Sequence, residues 1–119
     1  MAEIAEDLRT KSALETAELV RAGQVSALEV CDAAIHRIEQ LDTDINAVVV
    51  RDFDRARSTA RALDKDRSHH QDRPFIGVAM TVKESNDTVG LPTTWGFEGF
   101  CRLFWSQKYV KLKKIIHVS

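Results

Sequence analysis

The chain of 119 residues predicts an α/β fold class. Three observations carry this. Two segments open with the same helix-start signal, a third segment has a helical apolar face, and two short apolar, β-branched runs read as strands. The expected order is helix, helix, strand, helix, loop, strand.

Ser12-Ala13-Leu14-Glu15 fits the S-x-x-E capping box, in which the serine hydroxyl accepts a first-turn N–H and the glutamate reaches back. The first helix is expected to run to about Ala22, with Gly23 past its end. Ser26-Ala27-Leu28-Glu29 repeats the signal. The second helix is expected over Ala27 to about Leu41, with Leu28, Cys31, Ala34, Ile35, Ile38 and Leu41 on one stripe. Cys31 on that stripe reads as a small buried residue, not as a nucleophile. The repeated tetrapeptide is shared capping chemistry, since nothing else recurs at that spacing.

Asn46-Ala47-Val48-Val49-Val50 reads as a buried strand. A third helix follows, with Asp52 or Asp54 at its start and Phe53, Ala56, Ala60 and Leu63 as its apolar face. Arg51, Arg55, Arg57 and Arg61 surround it and read as a solvated face paired with Asp52, Asp54 and Asp64. Residues 65–73 read as a polar loop. Its adjacent His69 and His70 do not make a metal site, because three or four ligands at workable spacing are needed. Val78-Ala79-Met80-Thr81-Val82 is the second strand candidate, closed by Lys83. Gly90-Leu91-Pro92-Thr93-Thr94-Trp95-Gly96 is a loop rich in turn residues.

Composition narrows the function classes. Hydrophobic residues make 44% and charged residues 29%, which fits a globular chain. A net charge of −1 argues against a strongly basic nucleic-acid binder. Two cysteines, Cys31 and Cys101, do not suggest a disulfide scaffold. The acidic start has no secretory character, and no run approaches the roughly 18 apolar residues of a membrane span. A reduced, cytoplasmic setting is therefore expected.

A lysine closing a strand is most simply a surface lysine. It is also a placement from which a rigidly held, buried and hence neutral lysine can serve a serine nucleophile. The surrounding residues favour the second reading. Pro74-Phe75-Ile76-Gly77-Val78-Ala79-Met80-Thr81-Val82-Lys83-Glu84, followed by Gly90-Leu91-Pro92-Thr93-Thr94-Trp95-Gly96, resembles the lysine block of the amidase signature family. The resemblance covers about residues 10–99. It implies the N-terminal part of the amidase signature fold, three helices and the first strands of a mixed α/β sheet. It also implies a Ser–cis-Ser–Lys triad that hydrolyses carboxamide C–N bonds without a metal or organic cofactor. By position, Lys83 is the catalytic lysine. Arg73, Phe75, Ala79, Glu84 and Phe97 stand where the family often has Gly, Leu, Pro, Asp and Ser. Gly90 to Gly96 is expected to shape the active-site neighbourhood.

The family's Gly- and Ser-rich block has no counterpart here. The serines are Ser12, Ser26, Ser58, Ser68, Ser85, Ser106 and Ser119, and no two are adjacent. No nucleophile or oxyanion donor is assigned. Residues 1–99 are expected to be the N-terminal portion of an amidase domain, truncated and inactive alone because a triad acts as a unit. Residues 100–119 read as an unrelated basic and aromatic tail. All 18 acidic residues precede them, whereas they contain Arg102, Lys108, Lys111, Lys113 and Lys114, which suggests a frame change near residue 100. The expected partners are a small-molecule amide substrate in a complete enzyme, or a complementing chain of a split amidase. No nucleic acid is expected. The remaining alternative is a small interaction protein whose 101–119 tail contacts a membrane or partner.

Overall fold

The computed structural model describes residues 7–86, 88–91 and 93–97, and the backbone of 117–118. Two compact units are present, Met1–Met80 with Ile116–Ser119, and Thr81–Ile115.

In the first unit, a helical turn at 7–10 leads to α1, Ala13–Arg21. Its capping box is complete. The Ser12 N–H donates to Glu15 Oε2 at 2.7 Å, and the Glu15 N–H donates to Ser12 Oγ at 3.2 Å. Gly23 ends the helix at φ 73°, with its N–H on the Val20 carbonyl and the Gln24 N–H on the Leu19 carbonyl. These are the two bonds of a Schellman motif, so the helix stops where expected.

Helix α2, Ala27–Ile45, has the second capping box. It also has a cap that periodicity could not reveal. Asp64, from the third helix, accepts the N–H groups of Ala27 at 2.8 Å and Leu28 at 3.1 Å. A carboxylate there satisfies orphan donors and suits the positive end of the helix dipole. Helix α3, Phe53–Lys65, starts after Asp52, whose side chain makes no cap bond. A 3₁₀ turn, Arg67–His70, follows within the expected polar loop.

The core joins Ala17 and Val20 of α1, Ala27, Val30, Cys31 and Ile35 of α2, Ala56, Ala60 and Leu63 of α3, and Ile76. Four of these ten are alanines, which lets the helix backbones approach closely. The α3 face is as expected, with Phe53 half-buried beside it. Of the expected α2 stripe, Cys31 and Ile35 are buried and Leu28 and Ile38 pack against the core, but the stripe is broader at its start and ends before Leu41. Ala27 and Val30 are buried, while Leu41 is 47% exposed. The arginines pair differently from the expected set. Among the described residues Arg57 Nε reaches Asp32 of α2 at 2.7 Å, Arg51 reaches Asp42, and Arg55 pairs with Asp52.

The run Asn46 to Val50 is not a strand. Asn46 adopts φ 52°, the left-handed end of α2. The buried Asp42 carboxylate then takes the N–H of Ala47 at 2.6 Å, the N–H of Val48 at 3.2 Å and Arg51 Nη2 at 3.0 Å. Donors committed to a carboxylate cannot enter a ladder. Burial alone would raise the Asp42 pKa, but these bonds outweigh it and hold the group below its ordinary value.

The second expected strand is shorter than the run Val78–Val82. Only β1, Ala79–Met80, forms a ladder, antiparallel to β2, His117–Val118, with Ala79 opposite Val118 and Met80 opposite His117. Upstream, the Val78 N–H closes a turn on the Phe75 carbonyl; downstream, the Lys83 carbonyl accepts the Asn86 N–H. The two turns bracket residues 79–82, and among the described residues only Ala79 and Met80 of these enter a ladder. Those two are half-buried rather than buried. Among the described residues the architecture is thus helical with one two-stranded pairing, and the wider mixed sheet is not shown. The rest of the 100–119 tail lies outside the described residues.

Candidate active site around Lys83

The chain entering the lysine block is fixed by α1. Arg21 donates from Nε to the Gln71 carbonyl at 3.1 Å and from Nη2 to the Arg73 carbonyl at 2.9 Å. Ile76 is fully buried, and Gly77 follows at φ 74°. A Cβ at Gly77 would stand 2.6 Å from Val20 Cγ1, so the glycine is required by both backbone angle and packing. This is the physical reason for the glycine of the block.

The second unit holds Lys83 and the loop beyond it. Lys83 is exposed and lies three residues past β1, not at the end of a buried strand. Among the described residues no hydrogen bond or ion pair engages its amine. Its carbonyl accepts the Asn86 N–H at 3.0 Å and Asn86 Nδ2 at 3.2 Å, which turns the chain sharply after the lysine.

The two halves of the block are joined by Glu84, to which the sequence analysis gives no role beyond standing where the family often has Asp. Its Oε1 accepts the Thr94 N–H and its Oε2 accepts the Trp95 N–H at 2.9 Å. Burial pushes the Glu84 pKa up, but the Thr94 side chain and the amides of Thr94, Trp95 and Gly96 prevail and hold it below the usual glutamate value. Trp95 at φ 56° and Gly96 at φ 69° turn successive N–H groups toward this anion. Thr94 Oγ1 accepts the Gly96 N–H at 3.2 Å, and the Phe97 N–H donates to the Thr94 carbonyl at 2.9 Å. Thr93 is 4% exposed, and its Oγ1 has no hydrogen-bond partner among the described residues. The Trp95 ring is 71% exposed. The available signal was an acid directly after the lysine and a Thr/Gly turn ten residues on.

Other candidates give less. His69 Nδ1 pairs with Asp66, and His70 Nε2 lies 3.6 Å from the same carboxylate. Among the described residues no three His, Cys, Asp or Glu side chains gather as a metal site. Cys31 is buried and its thiol is pushed up to about 11, by burial first and by Asp32 second. No described helix is long and apolar enough to cross a membrane.

The block thus has Gly77 required by packing and the Thr94–Gly96 turn tied to Glu84, the residue after Lys83. The family model described as Amidase matches residues 29–102, and the chain belongs to the amidase family. It is 37% identical over 90 residues to a glutamyl-tRNA(Gln) amidotransferase subunit from Moraxella catarrhalis, covering 76% of this chain and 18% of that protein. It is 32% identical over 101 residues to the human fatty-acid amide hydrolase 2, covering 78% of this chain and 19% of that one. The fatty-acid amide hydrolase 2-B of Danio rerio matches at 34% over 103 residues, 80% of this chain and 20% of that protein. The chain thus spans about a fifth of the length of the curated relatives it matches.

Proposed function

We propose that this chain carries the lysine-bearing N-terminal part of a serine-nucleophile amidase that hydrolyses carboxamide C–N bonds. The observation that supports it best is the ordered block from Pro74 to Gly96, with Lys83 inside the matched residues 29–102. In this reading Lys83 is the group that moves the proton. Its neutral amine takes the proton of the nucleophilic serine through a second serine, as the hydroxyl oxygen attacks the amide carbonyl. The tetrahedral intermediate collapses, the C–N bond breaks, and the lysine returns the proton to the departing nitrogen. Water then cleaves the acyl-serine ester by the same route. No metal or organic cofactor takes part.

Both serines come from outside this sequence, so the chain is inactive alone. The rest of the mixed α/β sheet comes with them and buries Lys83. The apolar residues Leu41, Ile45 and Val49, 47%, 67% and 61% exposed, support such a covering partner. They are equally in keeping with a second form of the same reading, in which the chain complements a separate polypeptide of a split amidase. The setting is reduced and cytoplasmic, in keeping with the free Cys31.

Sequencing the DNA from codon 95 through the region that follows codon 119 tests this. A frame encoding a Gly-rich block with paired serines supports a truncated or split amidase. Its absence there removes the local source of the nucleophile and contradicts the proposal.

A further inference from the structure

We propose that Glu84 is a positioning residue, whose carboxylate locks the backbone bearing Lys83 to the Thr94–Gly96 turn. The inference rests on the reading of Lys83 as the proton-moving group. Glu84 immediately follows Lys83, so whatever fixes the Glu84 side chain restrains the peptide that carries the lysine. The carboxylate is held on both oxygens, by the N–H of Thr94 and by the N–H of Trp95 at 2.9 Å. Two acceptors on two successive donors fix orientation as well as distance.

The turn is closed by the Phe97 N–H on the Thr94 carbonyl at 2.9 Å, and Glu84 ties it from outside to the lysine-bearing segment. Trp95 sits at φ 56°, which is uncommon for a bulky residue and persists only where the surroundings over-determine it. The Thr94 hydroxyl supplies one further bond, to the Gly96 N–H. Thr93 Oγ1 contributes none among the described residues. No ion pair engages Glu84 among the described residues, and its charge is met by the Thr94 side chain and the amides of Thr94, Trp95 and Gly96. An ionised carboxylate is therefore the part that joins the two halves of the block. A glutamine offers only one oxygen acceptor and brings an NH₂ donor against N–H donors. An aspartate retains two acceptors on a shorter arm.

The test is amide hydrogen exchange and pH titration by nuclear magnetic resonance on the full 119-residue chain. Wild type, Glu84→Gln, Glu84→Asp and Lys83→Met are compared. In the wild type, the amide protons of Thr94 and Trp95 and the Lys83 backbone amide should titrate together, with a midpoint below the ordinary glutamate value of 4.5. Glu84→Gln should abolish that titration and speed Thr94 and Trp95 exchange by about ten- to a hundredfold, as expected for a lost charge-assisted bond. Glu84→Asp should restore much of both effects. Amides in α2 should be unchanged. Unaltered protection of Thr94 and Trp95 in Glu84→Gln overturns the proposal. So does equal loss of protection throughout α2, which would make Glu84 a general stabiliser. Lys83→Met should leave the clamp intact. The readouts do not depend on the Lys83 amine, so failure of the clamp and failure of the catalytic reading are separate results.

Discussion

Gly77→Ala is expected to destabilise the first unit far more than a single methyl group suggests. Two costs add. Gly77 lies at φ 74°, where an L-residue with a Cβ is strained by about 1–2 kcal/mol. The new Cβ would also stand 2.6 Å from Val20 Cγ1 and 2.9 Å from Cγ2. Val20 is fully buried in α1 and cannot swing into solvent. Overpacking of this kind costs about 1–3 kcal/mol. The total is about 2–5 kcal/mol, a large share of the roughly 5–15 kcal/mol that separates a folded domain from its unfolded chain. Gly23→Ala is the matched control. Its φ is 73°, but its Cβ would meet only the flexible end of Arg67, at 3.0 Å from Nη2. It should lose the backbone part alone. Urea unfolding followed by far-ultraviolet circular dichroism gives both values. Adding Val20→Ala to Gly77→Ala removes the clashing methyl groups, so the double variant should be less destabilised than the sum by about 0.5–3 kcal/mol. Equal losses for Gly23→Ala and Gly77→Ala, or strict additivity with Val20→Ala, would refute the packing account.

Ser26→Ala should lower stability by about 1 kcal/mol, the usual cost of losing a capping hydroxyl. Asp64→Ala should act on the same helix end, since Asp64 holds the next two N–H groups of α2. The two losses should be non-additive in urea unfolding. Cys31 should resist alkylation at neutral pH while the chain is folded and react once it is unfolded, which mass spectrometry reads directly. Its folded pKa of about 11 stands above the ordinary 9.0. Between those values the folded state holds a proton that the unfolded state has lost. The stabilisation is therefore present below pH 9 and disappears as the pH rises toward 11.

The helices were legible because their signals are local. Ser12 and Glu15, or Ser26 and Glu29, sit within one turn and need no tertiary partner. The α3 face was legible for the same reason, at helical spacing. The strand reading of Asn46 to Val50 failed because Asp42, inside the preceding helix, captures the Ala47 and Val48 amides. β-branched composition carries no record of that. The Asp64 cap on α2 spans 37 residues and is equally invisible to a window. At the candidate site, the motif order named Lys83 but not its surroundings. Burial depends on what covers the lysine, and in this chain Lys83 is exposed. Glu84 went unread because its partners are backbone amides ten and eleven residues away, which have no side-chain signature.

The role of Lys83 is tested most directly by reconstitution. The 119-residue chain is mixed with a polypeptide spanning the part of the Moraxella catarrhalis amidotransferase that follows the matched region. Release of ammonia or amine from a panel of carboxamides is then measured. Hydrolysis should arise only in the mixture, and Lys83→Ala should lower kcat by about 10²- to 10⁴-fold, the range for a lost acid–base group. Undiminished turnover by the Lys83→Ala mixture, or turnover by this chain alone, would contradict the account.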